Sequence, residues 1–151
     1  MRDEDIALYD NVAADWWGGQ TRWVRVLRNM GPARLRHFAR AVPDWHGLDV
    51  LDLGCAGGFM AEAIARRGAR VTGIDPARDA LASARAHAAA EGLDIRYDEG
   101  AGEALPYADA SFDAVVCVDV LEHVINLDAV LAEITRVLRP GGWFLFDTIN
   151  Q

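Results

Sequence analysis

The sequence predicts an α/β fold: a doubly wound, Rossmann-like parallel sheet preceded by N-terminal helices. Two observations predict it. From about residue 48 onward, apolar strand-like runs alternate with helical stretches, which is the pattern of βαβ units. The first of these runs, VLDLGCAGGF, passes from an apolar strand into glycine and alanine, as chains do where a ligand approaches the backbone. Because crossovers between parallel strands are right-handed, we expect the sheet to be doubly wound.

The composition is that of a globular domain and excludes several classes of protein. Apolar residues make up 52% of the 151 residues, enough for one domain with a sizeable core. The net charge of −8 disfavours sequence-independent binding to nucleic acid. No apolar run has the length of a transmembrane segment, and the acidic N-terminus MRDEDIALYD does not resemble a secretory signal. The two cysteines lack metal-ligand spacing, so we expect a reduced, cytoplasmic protein.

Residues 1–44 are predicted to form a helical cap and residues 45–151 the core domain. Three helices are expected in the cap, over residues 3–17, 21–30 and 32–41. Gly18-Gly19 ends the first helix. Gly31-Pro32 separates the other two, because proline opens a helix readily but does not continue one. Trp16 and Trp17 are expected either to border the substrate entrance or to pack against the domain.

Strands and helices alternate in the core. Five strands are predicted, over residues 48–53, 70–74, 93–97, 112–118 and 143–148. Three helices are predicted, over residues 59–67, 77–91 and 127–138. Gly68 and Gly92 stop the first two of these helices. Turns are expected at Asp75-Pro76 and at Pro140-Gly141-Gly142, because proline and glycine interrupt regular structure.

The glycine-rich turn after the first strand and the acid after the second predict a nucleoside site. In doubly wound sheets the ligand lies outside the carboxyl ends of the strands, near the first βα turn. Asp75 follows Gly54 by 21 residues and can accept two hydrogen bonds from a ribose diol. Ala56 stands where a dinucleotide fingerprint has its second glycine, which disfavours NAD. A purely structural turn is the alternative.

These motifs resemble those of the class I S-adenosylmethionine (SAM)-dependent methyltransferases. VLDLGCAGGFMAEAIARRGARVTGIDPA is similar to their first two motifs, ASFDAVVCVDVLEHV to their fourth-strand motif, and VLRPGGWFLFDT to their fifth strand. With NVAADWW, MGPARLRHF and DTINQ added, the pattern resembles the ubiquinone-biosynthesis O-methyltransferases, which methylate catechol-like hydroxyls. The family fold has seven strands, so the resemblance implies a chain truncated after strand five.

The resemblance implies a role in SAM binding for each matching position. Gly54 would contact the methionine portion of SAM, Asp52 the loop and the ammonium group, and Asp75 the ribose. Arg34 would meet the SAM carboxylate, while Cys55 is a small apolar filler in the loop. The full predicted cofactor-binding set is Arg34, Asp52, Gly54, Cys55, Ala56, Gly58, Asp75, Pro76, Ala101, Gly102 and Val118.

Two positions depart from the family pattern. Ala56 replaces the central glycine of the first motif, so the turn must avoid positive φ there or be strained. Ala101 stands where related families often place an aspartate that meets the adenine amino group. At this position, only the backbone N–H of Gly102 then remains to form a hydrogen bond with the adenine ring.

Asp119, Glu122 and His123 follow the fourth strand, at the rim where a substrate would lie. In the ubiquinone-biosynthesis enzymes the matching stretch implies a divalent-metal site, at which Mg²⁺ would bind the carboxylates and acidify a bound phenol. Without metal, His123 is a candidate general base, with Glu122 beside it as the second candidate catalytic residue. The structural alternative is that Glu122 and His123 cap or orient the next helix. His87 shows no partner in the sequence, and no role is predicted for it.

The predicted reaction is SAM-dependent O-methylation of a small catechol- or quinol-like compound. The alternatives are methyl transfer to nitrogen or carbon, and a truncated domain that binds SAM or S-adenosylhomocysteine without turnover. With strand five at the edge of the sheet, a partner subunit of a homodimer is one way to cover that edge. We expect no nucleic-acid partner and no transmembrane segment.

Overall fold

The computed structural model describes residues 3–148, so the last three residues of the DTINQ motif lie outside the described residues. The helices are α1 (Asp3–Asn11), α2 (Arg22–Phe38), α3 (Phe59–Ala65), α4 (Arg78–Ala90) and α5 (Leu127–Val137), with a short 3₁₀ helix at Ala13–Asp15. The strands are β1 (Asp49–Leu53), β2 (Arg70–Asp75), β3 (Ile95–Glu99), β4 (Phe112–Val118) and β5 (Leu138–Asp147).

The five strands form one parallel sheet in the order β3-β2-β1-β4-β5. Leu51 in the central strand β1 pairs with Thr72 of β2 on one side and with Val115 of β4 on the other. The chain therefore winds from β1 out to β3, returns to the other side of β1, and continues to β5. This reversal makes the gap between β1 and β4 the switch point, where ligands bind in such sheets. The predicted doubly wound, Rossmann-like fold is confirmed.

Apolar layers cover both faces of the sheet. One layer joins Val50 to residues of α2, α3 and α4, and the other joins Leu51 to residues of α5. Consecutive strand residues point to opposite faces, so Asp52 lies on the same face as Val50, beneath α3. A carboxylate is thus placed inside an apolar layer, next to the turn that opens α3.

The first helix ends earlier than predicted. α1 stops at Asn11 instead of continuing to Trp17, because the chain tightens into shorter turns. The amide of Val12 donates to the carbonyl of Tyr9, and the amide of Asp15 donates to the carbonyl of Val12. We call residues 3–19, which comprise α1, the 3₁₀ helix and the glycines that follow, the N-terminal strap.

One continuous helix, α2, replaces the two helices predicted on either side of Gly31-Pro32. Proline removes one amide donor from the helix interior. The buried face of the helix nevertheless runs past it, from Val24 through Gly31 to Phe38. Tertiary packing of that face outweighs the local break signal, which is the usual source of helix stability in proteins.

Two strands also differ from their predicted bounds. β3 begins at Ile95 rather than at residue 93, and β5 begins at Leu138 rather than at Trp143. Pairing along β4 moves from Phe112–Leu138 to Ala114–Trp143, so the expected Pro-Gly-Gly turn is a bulge inside β5. The division of the chain at residue 44 into a cap and a core stays a prediction.

The N-terminal strap is fastened to the core by Asp10. Its Oδ1 accepts hydrogen bonds from the amides of Asp79 at 2.9 Å and Ala80 at 3.3 Å, in the first turn of α4. The N-cap residue of α4, Ala77, has no side chain that can cap, so Asp10 satisfies these amides from outside the helix. Among the described residues, no helix is long and apolar enough to cross a membrane.

Candidate active site

A groove opens at the carboxyl ends of β1, β2 and β4, at the switch point of the sheet. It spans about 610 Å³, a volume that includes space open to solvent. The glycine-rich turn and the strand ends form its floor, and the strap and α2 form its roof. The predicted cofactor residues that line it are Arg34, Asp52, Gly54, Cys55, Ala56, Asp75 and Val118.

A second cavity of about 340 Å³, also partly open to solvent, adjoins the first, and Gly54 and Val120 line both. Ala101 and Gly102, the positions considered for contact with adenine, line this second cavity, as does Pro76. Gly58 is the one predicted cofactor-binding residue that lines neither; it is buried at the N-cap of α3. Together the two cavities form one bipartite groove.

The turn between β1 and α3 has left-handed backbone at three predicted positions, Gly54, Ala56 and Gly58. Gly54 has φ of 74°, and a Cβ there would lie 2.2 Å from a methyl group of Val120, so only glycine fits. Ala56 has φ of 43°, the conformation that the sequence analysis expects to be strained. Such backbone at a non-glycine residue costs about 1–2 kcal/mol. Cys55 between them is buried, and burial raises the pKa of its thiol, which fits a filler role.

Asp75 holds the turn to the start of α4. Its carboxylate is 3% exposed and accepts the amide of Ala56 at 2.9 Å and the amide of Ala77 at 2.8 Å, one on each oxygen. Burial raises the pKa of Asp75 to about 6, against the lowering effect of these two hydrogen bonds. Each carboxylate oxygen has a second lone pair, so Asp75 can also accept hydrogen bonds from the hydroxyls of a ribose.

Asp52 presents a buried acceptor to the groove. Its side chain is 2% exposed, and its Oδ2 has no hydrogen-bond partner among residues 3–148. Burial raises the pKa of Asp52 to about 7; the backbone amide of Ala61 lowers it and the negative charge of Asp75 raises it further. An orphaned carboxylate oxygen is costly unless a ligand partners it, and a cationic ligand would partner it best.

Arg34 is buried at the roof of the groove and already binds two carboxylates. Its Nε donates to Asp147 at 2.6 Å and an Nη donates to Asp119 at 2.5 Å. Burial raises the pKa of Asp119, and the charge of Arg34 opposes that rise. These two bonds leave the second Nη for a ligand carboxylate, which is the role that the family resemblance implies.

The predicted metal ligands do not converge. Asp119 faces Arg34, while Oε2 of Glu122 accepts the hydroxyl of Thr148 at 2.7 Å. No group of three or more His, Cys, Asp and Glu side chains in the described part of the chain could hold a metal ion. The prediction of an Mg²⁺ site is therefore not supported by this arrangement.

His123 lines neither cavity, but its amide donates to the carbonyl of Val120, which lines both. The buried Nδ1 of His123 has no hydrogen-bond partner within the described residues, and lies 3.8 Å from a carboxylate oxygen of Asp5 on the strap. That separation is longer than a hydrogen bond but brings a negative charge near the ring. Neither His123 nor Glu122 caps α5, because the side chain of Asn126 accepts the amide of Ala129 at 3.1 Å.

The strap contributes residues that the sequence analysis assigned no definite role. Trp16 is 2% exposed, lines the groove and lies against Gly57, where a Cβ would stand 1.6 Å from Cδ1 of the indole. Tyr9 also lines the groove, and burial together with nearby carboxylates, Asp75 foremost, raises its pKa to about 12. The motif NVAADWW was the only sequence signal for these contacts, and it does not include Tyr9.

Comparison with known proteins matches residues 51–146 to a family whose model is described as methyltransferase domain. A curated relative, the ubiquinone biosynthesis O-methyltransferase of Alkalilimnicola ehrlichii, is 38% identical over 152 residues. That match covers 100% of this chain and 61% of the relative. The chain therefore spans less than two thirds of the length of this relative.

Solved structures share the fold. An S-adenosylmethionine-dependent methyltransferase from Mesorhizobium loti is 32% identical with a TM-score of 0.65, and the match covers 78% of this chain and 52% of that one. The [4+2]-cyclase SpnF is 31% identical with a TM-score of 0.71, over 83% of this chain and 46% of that one. Since one of these proteins is named as a cyclase, the fold alone does not determine the reaction.

Proposed function

This chain belongs to the methyltransferase domain family, and on that premise we propose that it binds SAM in the bipartite groove and transfers the methyl group to an oxygen of a small catechol- or quinol-like compound. The observation that carries the proposal is the orphaned Oδ2 of Asp52, a buried anionic acceptor that lines the groove. The name of the curated relatives, ubiquinone biosynthesis O-methyltransferase, supports a hydroxyl group as the acceptor.

Each half of the groove suits one part of SAM. The carboxylate of Asp75 accepts the ribose hydroxyls, and Asp52 neutralises the positive charge of the methionine half. Arg34 offers its remaining Nη to the ligand carboxylate. The base lies in the second cavity, where Pro76 and Gly102 give it a mainly apolar surrounding.

The protein has to bring an acceptor oxygen into line, remove its proton and keep water out. SAM, when bound, supplies a methyl group on a sulfonium centre that is already activated. Trp16 closes the groove above the glycine-rich turn and excludes water from it. His123, whose side chain is partly exposed and whose Nδ1 lies 3.8 Å from Asp5 on the strap, is the proposed general base that takes the acceptor's proton.

The variant Asp52→Asn tests the binding half of the proposal with two effects of opposite sign. Without ligand, it removes an unpartnered buried charge and stabilises the free protein at pH 8 by roughly 2 kcal/mol. With SAM, it removes the partner of the positive charge, so affinity falls by at least about tenfold. Chemical denaturation and calorimetry measure the two effects. A purely structural role for Asp52 predicts a less stable variant with unchanged affinity for SAM.

The variant His123→Gln tests the chemical half. Methyl transfer to a catechol falls by about 10²–10⁴-fold if His123 is the general base, while the dissociation constant of SAM stays unchanged. Thr135→Ala, on the exposed side of α5, is the matched control and retains activity. Transfer by His123→Gln at the wild-type rate would remove His123 from the mechanism.

Binding without turnover is the second candidate function. It is favoured by a structural relative, 31% identical, that is named as a cyclase rather than as a methyltransferase. An assay with methyl-labelled SAM and catechol, amine and carbon acceptors decides between the two. Labelled product from the catechol alone supports O-methylation, and binding of SAM without labelled product from any acceptor supports the second candidate.

A further inference from the structure

A buried carboxylate outside the groove connects the core to the N-terminal strap. Glu62 lies on α3 with its side chain 2% exposed, and its Oε1 is 2.7 Å from Nδ1 of His87 on α4. Its other oxygen accepts a hydrogen bond from Arg66 at 3.2 Å. A buried carboxylate needs such partners in order to remain charged. The site mechanism uses neither Glu62 nor His87.

The ring of His87 also contacts the strap. The indole of Trp17 stacks on it with ring centroids 3.5 Å apart and an interplanar angle of 3°. The Nε1 of the same indole donates to the carbonyl of Gly57 at 3.0 Å, in the glycine-rich turn. Trp17 therefore connects the glycine-rich turn, through Gly57, to α4, through His87. His87 in turn contacts Glu62 of α3, which lies five residues after Gly57 in the chain.

We infer that His87 is a positioning residue for the cofactor: through Trp17 it holds the strap on the glycine-rich turn and so strengthens SAM binding. This inference rests on the proposed function. The hydrogen bond to Glu62 fixes the orientation of the imidazole, and the stacked imidazole in turn holds the indole of Trp17 over the glycine-rich turn.

Other charged groups surround this contact. Arg66 on α3 pairs with Glu62 and, at 2.9 Å, with Glu91 after the end of α4. Tyr97 of β3 lies near Glu62, whose charge adds to the effect of burial in raising the pKa of that phenol. Arg28 of α2 donates to the strap backbone at 3.3 Å. The two arginines thus hold Glu62 and the backbone of Trp17, which are the two neighbours of His87.

Fluorescence tests the contact itself. The emission of Trp17, isolated by subtraction of the Trp17→Phe variant, reports on the stacked ring. The variant His87→Gln keeps a hydrogen-bond donor for Glu62 but removes the ring, so we expect the indole to become more exposed and its emission to shift to longer wavelength. The control His37→Gln, at an exposed position of α2, leaves the emission intact. A Trp17 emission that is independent of His87 would overturn the inference.

Calorimetry tests the positioning role. We expect His87→Gln to weaken SAM binding about fivefold, while His37→Gln binds as the wild type does. Equal affinities of His87→Gln and wild type refute the positioning role and leave the proposed function standing. If the wild type binds no SAM at all, the proposed function fails and the positioning role fails with it.

Discussion

Substitution of Gly57 by alanine isolates the contact between the strap and the glycine-rich turn. The backbone of Gly57 is not left-handed, so alanine is not disfavoured there by conformation. The added Cβ would instead lie 1.6 Å from Cδ1 and 1.8 Å from Nε1 of Trp16. Carbon atoms in contact are normally about 3.5 Å apart, so the indole has to move by about 2 Å.

The size of the effect follows from the burial of Trp16. Its ring is 2% exposed and packs against Phe59 at 5.4 Å and Trp23 at 5.9 Å between centroids. Full loss of a buried tryptophan from a core costs about 3–5 kcal/mol, and a strap that shifts retains part of its packing. We therefore expect Gly57→Ala to lower the free energy of unfolding by about 3 kcal/mol.

Urea denaturation of four proteins measures this effect as a double-mutant cycle: wild type, Gly57→Ala, Trp16→Ala and the double variant. If the clash with Trp16 is the cause, Gly57→Ala costs little in the Trp16→Ala background. Gly31→Ala is the matched control, because its Cβ would meet only the sulfur of Met60 at 3.9 Å and helical alanine stabilises by roughly 0.5–1 kcal/mol. An equal cost of Gly57→Ala in both backgrounds would refute the reasoning.

Three further predictions concern the same region. Ala56→Gly relieves left-handed backbone at φ of 43° and raises the free energy of unfolding by about 1 kcal/mol in thermal denaturation; a loss of stability would contradict the assigned strain. Asp10→Ala removes the acceptor for the first amides of α4 and costs about 1 kcal/mol, whereas Asn, which retains an acceptor, costs less. The pKa of Asp52, raised to about 7 from an ordinary 3.8, means that the native state binds more protons than the unfolded state between about pH 4 and 7. The free energy of unfolding of wild type relative to Asp52→Asn therefore falls as pH rises through that window, by roughly 2 kcal/mol between pH 5 and 8; a flat difference would show that the pKa is not raised.

The sheet and the core of the groove were predictable because their signals are local. A strand, a small-residue turn and a helix follow one another within residues 48–67, and the alternation of elements dictates a parallel sheet. Asp75 was predictable for the same reason, since it ends a strand next to the first one. Its two amide partners were not predicted, because only the folded turn brings the N–H of Ala56 to its carboxylate.

The partners of the charged residues were not predictable from the sequence. Arg34 binds Asp119 and Asp147, which lie 85 and 113 residues away along the chain. No spacing rule connects positions that are so far apart, and the family resemblance implied only a ligand for Arg34. The predicted grouping of Asp119 with its neighbours around a metal is not supported by the described residues, among which Arg34 binds that carboxylate.

The helix break expected at Gly31-Pro32 shows the limit of local propensity. Proline weakens a helix by the loss of a hydrogen bond and by a steric clash. α2 continues through it because its buried face packs on the core over its whole length. In the strap, a helical pattern is instead interrupted. The helical spacing of apolar residues continues to Trp17, but α1 ends at Asn11, a 3₁₀ helix follows, and Trp16 packs on Gly57.

Isothermal titration with SAM at pH 6.5, in two buffers of different ionisation enthalpy and with NAD as the comparison ligand, tests whether SAM binds next to Asp52. A positively charged ligand next to Asp52 favours the ionised form of that carboxyl group. We therefore expect SAM to bind saturably at one site and to release protons to the buffer. We further expect that Asp52→Asn largely abolishes this release and that NAD does not bind. Absence of binding by SAM, or binding by NAD in its place, would contradict the account.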